Sequence, residues 1–322
     1  MINLFSMALR VERSIWIACL FVLALTIVIG ITYPATISVN YYMQQLQIAA
    51  FVGVLASGAM VVLLLGEIDL SMPWTATAAG MLACGAFSSG AAWANDGTAI
   101  SAALLLGLAI GGVNAFGVAI LRAPSMVWTL GVNAILLGLT VVYAGGYSPQ
   151  TNASPLMRHL AVGRVFDVVP VAVLIWLFVG SVLVLVLRLT PLGAWVYAMG
   201  RSSRVAYLAG VPTRVVVLFT FLWAGLCSAV GGVLLSGYSG QAFQAMGDPM
   251  LLPSIAAVVV GGTKVTGGEG RYLGTVMGVL ALTLLSNVLS LMQAPEALRL
   301  IIYGSTIILM LLVSRRRSSA HH

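Results

Sequence analysis

Few side chains in this 322-residue chain can do chemistry, and their positions narrow what that chemistry is. There are eight carboxylates: Glu12, Glu67, Asp69, Asp96, Asp167, Asp248, Glu269 and Glu296. A carrier driven by protons or sodium is expected to hold such groups in the middle of its apolar segments, where ionisable residues mark ion relays. All eight lie near segment ends instead. Gly237-Tyr238-Ser239-Gly240 is similar to the nucleophile string of an intramembrane serine protease. Such a serine needs a base within hydrogen-bond reach, and His159, His321 and His322 all fall outside the apolar segments. The string therefore reads as a turn at a helix end, and His159 as a solvated loop residue. At Gly261-Gly262-Thr263-Lys264, Thr263 precedes the lysine and Val265 follows it. A phosphate-cradling loop needs Gly-Lys followed by Ser or Thr, so this chain is not expected to hydrolyse ATP. Cys19, Cys84 and Cys227 share no close spacing, which fits neither a disulfide framework nor a metal site. What the apolar segments do carry is neutral: Asn114, Thr129, Asn133, Thr140, Ser228, Ser286 and Asn287. Such groups suit a passage for a neutral polyhydroxylated solute, and equally suit hydrogen bonds between helices. Asn114, Thr129, Asn133, Ser286 and Asn287 are the candidates for the passage.

The elements that must position these groups are membrane helices. Hydrophobic residues make up 61% of the chain and charged residues 7%. A soluble domain carries about 45–50% apolar and about 25% charged residues. A water-facing surface cannot be covered from this composition, which excludes a soluble enzyme, a nucleic-acid-binding domain and a disordered chain. The apolar runs are continuous and about 20 residues long, the length that crosses ~30 Å of hydrocarbon as a helix; a barrel would alternate instead. The sequence thus reads as an all-α polytopic membrane protein, one domain over 1–322, with ten spans at 14–33, 45–66, 71–90, 99–121, 126–144, 169–188, 215–236, 250–263, 272–291 and 297–313. The third holds Pro73, and the eighth is short and holds Pro249 and Pro253, so these are expected to be interrupted. With ten spans both termini are cytoplasmic. The inner side then carries Arg10, Arg13, Arg122, Arg188, Arg201, Arg204, Arg214, Lys264, Arg271 and Arg315 to Arg317, which is 12 of the 15 basic residues. Arg158, Arg164 and Arg299 fall outside. Tyr33-Pro34 is no small-residue cleavage site, so the first span reads as retained.

Two connections are long. The outer one, 145–168, begins Gly145-Gly146-Tyr147-Ser148-Pro149-Gln150. The inner one, 188–214, holds Arg188, Arg201, Arg204 and Arg214 and no acid. Its stretch from Leu192 to Ala209, bounded by Gly193, Gly200 and Gly210, reads as one or two brief surface helices. They answer either to topology alone or to a cytoplasmic partner. Gly107 and Gly111 lie four apart, as do Gly270, Gly274 and Gly278, a spacing that lets helices approach closely.

Three stretches together carry a family resemblance. Gly66-Glu67-Ile68-Asp69-Leu70-Ser71 is similar to the Gly-Ile-Asp-Leu-Ser signature of ABC-importer permeases for ribose, xylose and related sugars. Arg122-Ala123-Pro124-Ser125-Met126-Val127-Trp128-Thr129-Leu130-Gly131, after Gly112-Val113-Asn114, resembles that family's Pro-x-Phe-Ile-x-Thr-Leu-Gly segment. The run from Ile255 to Thr263, then Gly267-Gly268-Glu269-Gly270 and Gly274-Thr275, resembles its most recognisable block. Thr190-Pro191-Leu192-Gly193 and Ala198-Met199-Gly200 of the inner loop also fit. The resemblance covers nearly the whole chain in order. Departures are Glu67 and Pro73 at positions where glycine is usual, Met126 and Val127 for Phe and Ile, and Leu251 and Pro253 where many members carry acids.

The resemblance implies a transport subunit that is not an enzyme and binds no cofactor of its own. ATP and Mg belong to a partner, a cytoplasmic ABC ATPase. A periplasmic sugar-binding protein would deliver the solute, and a second permease copy, most simply an identical one, would complete the pathway in the bacterial inner membrane, with no nucleic acid involved. The inner loop, 189–214, would be the coupling element, through Leu192, Gly193, Arg201, Arg204 and Gly210. Asp69, Ser71, Gly261, Gly262, Gly267 and Gly268 carry the structural motifs, Asp69 with Ser71 being expected to cap the third helix. A permease of the same superfamily for inositol, a nucleoside or an autoinducer sugar is the alternative, and an ion-coupled carrier stands further off.

Overall fold

The computed structural model describes residues 2–91, 94–145, 151–305 and 308, with side chains from Trp16 onward except at 17 and 35. Arg315 to Arg317, the terminal histidines and 146–150 lie outside the described residues, as do the side chains of Arg10 and Arg13. The chain is mostly helical. In order, the main helices are α1 (Ile2–Thr32), α2 (Val39–Leu65), α3 (Met72–Ser88), α4 (Asp96–Ala119), α5 (Ser125–Tyr143), α6 (Pro155–Val162), α7 (Val171–Leu189), α8 (Pro191–Arg201), α9 (Ser203–Leu208), α10 (Thr213–Ser239), α11 (Asp248–Val260) and α12 (Tyr272–Leu291). Residues 296–305 are helical again. Each expected span falls on a helix as far as the residues are described, the tenth being described only at 297–305 and 308. Among the described residues six helices are long and apolar enough to cross a membrane, namely α2, α4, α5, α7, α10 and α12, while 18–32 and α11 are shorter apolar helices.

Local sequence sets many of the boundaries. Ser38 accepts the Tyr41 N–H at 3.2 Å to start α2, and Asn95 with Thr98 forms a reciprocal capping box on α4. Pro73, Pro155, Pro191 and Pro249 stand in the first turns of α3, α6, α8 and α11, where a missing N–H costs nothing. This corrects the expectation of an interrupted third span, because α3 runs unbroken after Pro73 and the break lies before it, at 66–71. Pro253 does sit inside α11. The Gly237–Gly240 string closes α10, with Gly240 left-handed at φ 76°. The chain is also not wholly helical. Thr151–Asn152 pairs with Gln241–Ala242, and Arg164–Val165 with Val169–Pro170 around a turn at Phe166 and Asp167. Outside the helices these backbone groups satisfy one another as short ladders. His159 is exposed, but it lies on α6 and not in a loop.

α2 and α10 form the centre. α10 packs on α2, α3 and α4, and α2 also meets α7, α11 and α12. Glycines set the tightest seams. A Cβ on Gly107 of α4 would overlap the Gly225 carbonyl oxygen of α10, and one on Gly111 that of Phe221. Gly274 and Gly278 of α12 stand in the same relation to the carbonyls of Gly261 and Ala257 at α11. The four-residue glycine spacing read from the sequence therefore brings backbone against backbone. Cys84 and Cys227 are buried in this core.

Candidate functional site

The break between α2 and α3 is the first unusual feature. Gly66 ends α2 in the left-handed region at φ 84°, and 67–70 are not helical. Irregular backbone among membrane helices persists only where protein satisfies its polar groups. α5 does so here. The Ile68 N–H donates to Ser125 Oγ at 3.2 Å and the Leu70 N–H to Thr129 Oγ1 at 3.0 Å. The Thr129 hydroxyl donates to the Ser125 carbonyl at 2.8 Å, with the Ile68 carbonyl 3.3 Å away.

Asp69 turns inward from this break and is only 8% exposed. Its Oδ1 accepts the Ser71 N–H at 2.8 Å and the Ser71 hydroxyl at 2.6 Å. Ser71 Oγ accepts from Asn114 Nδ2 of α4 at 2.7 Å. Burial pushes the Asp69 pKa above its ordinary value, and the two Ser71 donors act against that shift. The expected helix cap is corrected here: Ser71 holds the N-cap position of α3 but its side chain makes no capping bond. Its hydroxyl hydrogen goes to Asp69, and its oxygen faces Asn114. A void of about 10 Å³ lies beside Asp69, walled by Ala59 and Leu63 of α2, Ala224 and Ser228 of α10 and Ile255 of α11. That is room for about one water molecule.

The five passage candidates fall into two groups. Asn114 and Thr129 meet at the 66–71 break, and Asn133 lies one turn further along α5. Asn114 Oδ1 and Asn133 Oδ1 are both buried without a protein partner. Ser286 and Asn287 belong elsewhere, on α12. Ser286 bonds Tyr303 in the 296–305 helix, and Asn287 Oδ1 accepts the Tyr41 hydroxyl of α2 at 2.9 Å.

The 188–214 connection forms α8 and α9, the brief helices expected there, and the structure joins them to the core through backbone. The Gly268 N–H donates to the Leu64 carbonyl at the end of α2, at 2.8 Å. Gly200 of α8 lies on that same pair, since a Cβ there would overlap both the Leu64 oxygen and the Gly268 nitrogen. Gly267 is left-handed at φ 84°, and its position would bring a Cβ within 2.9 Å of the Gly200 carbonyl oxygen. The Tyr197 hydroxyl donates to the Gly270 carbonyl at 2.9 Å. Burial raises the Tyr197 pKa, while Arg271 and Arg188 nearby lower it. Lys264 pairs with Glu269 at 2.6 Å and holds the 261–271 loop closed. Of the glycines named from sequence, Gly267 and Gly268 meet α8, Gly261 lies in the α11–α12 seam and Gly262 is left-handed at φ 91°. Gly193 is pressed on the Leu187 backbone, and Gly210 closes α9 in open space at φ 81°. Leu192 is half-buried, whereas Arg201 and Arg204 are exposed. Beside them on α9, Val205, Tyr207 and Leu208 are 64%, 68% and 77% exposed. None of these three is among the candidates named from sequence, although large apolar side chains exposed side by side mark surfaces of interaction in general. It also passed over Tyr197, whose partner is 73 residues away.

The chain matches the family described as branched-chain amino acid transport system / permease component over residues 7–311. It is 30% identical to the Ribose import permease protein RbsC of Escherichia coli K12 over 317 residues, 97% of this chain and 96% of that one. It is also 30% identical to the RbsC of Haemophilus influenzae over 286 residues, 88% and 86% of the two chains. The Autoinducer 2 import system permease protein LsrC of Yersinia enterocolitica is 29% identical over 280 residues, 86% of this chain and 76% of that one. No solved structure matches.

Proposed function

This chain belongs to the branched-chain amino acid transport system / permease component family, and from that premise we propose that it is the membrane subunit of an ATP-driven importer for a monosaccharide of the ribose or xylose kind. The observation that carries the reading is near-full-length likeness to ribose import permeases, joined to a surface that suits a driving partner. That surface is α9, with Val205, Tyr207 and Leu208 exposed next to Arg201 and Arg204. It is seated on the core by the Gly200–Gly268–Leu64 backbone junction.

In this reading the ten helices cross the inner membrane with both termini cytoplasmic, and α8–α9 dock on a cytoplasmic ATPase that binds ATP and Mg. A periplasmic binding protein presents the sugar from the other side. The void beside Asp69 is water-sized, whereas sites for small molecules enclose about 300–1,000 Å³. This supports a pathway completed between two permease copies. Asn114 and Asn133 keep a side-chain oxygen without a protein partner and so have acceptors to offer a sugar. Thr129, Ser286 and Asn287 are the remaining candidates, already engaged with neighbouring groups. Docking moves α8, and the junction passes that movement to the end of α2 and the 66–71 break.

Uptake of labelled ribose by cells expressing the chain with its partner subunits tests the proposal. Uptake should stop when the co-purifying ATPase is inactivated and survive an ionophore that dissipates ion gradients. The opposite pattern defeats it. The likeness to LsrC supports a second reading, an autoinducer sugar. Competition of the ribose signal by such a sugar separates the two.

A further inference from the structure

Asp248, which the sequence sets at the end of an apolar segment, lies deep in the bundle. Gly247 beside it is buried against α3: its N–H donates to Thr77 Oγ1 at 3.1 Å, and a Cβ on it would overlap the Pro73 carbonyl oxygen. The depth follows from the neighbouring helices. Ser71 accepts from Asn114, which stands five residues before the end of α4. Pro73 and Thr77 lie further in along α3, so Gly247 is about 10–16 Å from that end at 1.5 Å per residue. On the other side, a Cβ on Gly232 of α10 would overlap the Ala76 carbonyl oxygen, and Gly232 is about 10 Å short of the end of α10. Asp248 therefore sits near mid-depth. The chain reaches it by a re-entrant stretch. α10 ends at Ser239, Gln241–Ala242 pairs with Thr151–Asn152, 243–247 turns inward with Ala245 left-handed at φ 60°, and α11 starts at Asp248.

Asp248 is exposed in this chain, as are Phe243 and Pro249. The buried Trp74 indole N–H donates to its carboxylate, and among the described residues no cation pairs with it. Trp74 packs in one cluster with Val132 and Leu136 of α5 and with Ala245. Two amides around this cluster are open: Gln244 Nε2 and, next to Val132, Asn133 Oδ1 are buried without a protein partner. One carboxylate, one unused donor and one unused acceptor thus share the α3–α5–α11 face. A carboxylate at mid-depth is costly against hydrocarbon and faces a bundle interior or a water-filled cavity. Irregular backbone at that depth is held to the same limit. A neutral sugar has hydroxyls to give and to accept at such a face, whereas an anion meets the charge of the carboxylate.

We infer that 243–249 lines a water-filled passage at mid-depth, and that Asp248 gives a neutral hydroxylated solute its hydrogen-bond acceptor there. The water contact needs only that the helices lie in a membrane, while the solute contact rests on the importer reading. The test uses the full chain with its partner subunits in proteoliposomes, in a Cys19→Ser background, since Cys84 and Cys227 are buried. Pro249→Cys reports on the site, and Phe178→Cys, at a position 70% exposed in the middle of α7, is the control. The probe is a cationic, membrane-impermeant methanethiosulfonate, which reacts with the thiolate and so with a wetted cysteine. Pro249→Cys should react at least about tenfold faster than Phe178→Cys, the loss of thiolate that each unit of pKa raised by apolar surroundings brings. Ribose should slow the reaction at Pro249→Cys, ribose 5-phosphate should not, and adding Asp248→Ala should remove the protection. Asp248→Ala alone should lower ribose uptake about tenfold, the lower end of what a hydrogen bond to a charged group supplies, with the chain still in the membrane. Equal reaction at the two cysteines overturns the passage and assigns this face to lipid or to a second copy. Reaction that ribose does not slow, in vesicles that take up ribose, overturns the solute contact, as does unchanged uptake by Asp248→Ala. Reaction at Pro249→Cys in vesicles that take up no ribose upholds the passage and defeats the ribose reading itself.

Discussion

Replacing Gly200 by alanine should unseat α8 from the core. The new Cβ would overlap the Leu64 carbonyl oxygen and stand 2.9 Å from Gly268 Cα. Both neighbours are backbone, so no side chain can swing aside, and from a 2.0 Å approach to the Leu64 oxygen α8 must withdraw by about 1.5 Å to restore ordinary contact distances of about 3.5–4.0 Å. That withdrawal strains two hydrogen bonds, Gly268 N–H to the Leu64 carbonyl at 2.8 Å and Tyr197 hydroxyl to the Gly270 carbonyl at 2.9 Å. Overpacking costs ~1–3 kcal/mol and leaving a buried partner unmatched ~1–3 kcal/mol. The lower half of each range sums to ~2–4 kcal/mol, a factor of about 30 to 900 in the population of the seated arrangement. The assay is ATP-dependent uptake per membrane-inserted chain, with co-purification of the ATPase measured alongside. Insertion should be normal while uptake falls at least about tenfold, within the range that population shift allows. Gly304→Ala is the control, since a Cβ there meets nothing within 4 Å, and it should behave as wild type. Full uptake by Gly200→Ala would refute the reasoning that the junction transmits movement. Loss of the chain from the membrane would show that the junction serves folding alone.

Three further outcomes are expected. Reversing both exposed arginines, Arg201→Glu with Arg204→Glu, should leave the chain in the membrane and abolish ATPase co-purification and uptake; normal values for both would remove the docking role. Asp69→Asn replaces the carboxyl that accepts both Ser71 donors with an amide and should cost ~1–3 kcal/mol, read as a lower unfolding temperature in detergent, whereas an unchanged temperature would mean that the Ser71 bonds contribute nothing net. Tyr41→Phe removes a single bond to Asn287, and since such bonds in membranes average ~0.6 kcal/mol, the unfolding temperature should shift only slightly, and a large drop would show that Asn287 has no other partner to turn to.

The helices and the tight seams were legible because their signals are local. A run of apolar residues about 20 long declares a span without reference to the rest of the chain, and glycines four apart declare a smooth face wherever it is used. The brief helices of 188–214 were legible for the same reason, being bounded in sequence by Gly193, Gly200 and Gly210. The candidate site was less so. Asp69 and Ser71 have the spacing of a cap, and the cap was expected. The structure gives the Ser71 oxygen to Asn114, 43 residues away, and no local spacing encodes that choice. The α8 junction was hidden for the same reason: Leu64, Gly200 and Gly268 join by main-chain atoms, which leave no trace in residue type except the glycines themselves. The two small ladders were missed because two-residue strands have no periodicity to read.

The α4–α10 and α11–α12 seams bear on how the molecule can move. At Gly111, Gly274 and Gly278 one helix faces the backbone of its neighbour with no side chain between them, and at Gly107 only the Ala229 methyl stands beside the Gly225 carbonyl. Helices that interlock side chains must change rotamers to slide, but surfaces of bare main chain need not. These seams are therefore shear planes, along which the sub-ångström to few-ångström slips of packed helices are the least obstructed motion. Spin labels on the outer ends of α4 and α10 should then report translation along the helix axes during turnover, with little change in tilt. A tilt without translation would place the moving joint elsewhere.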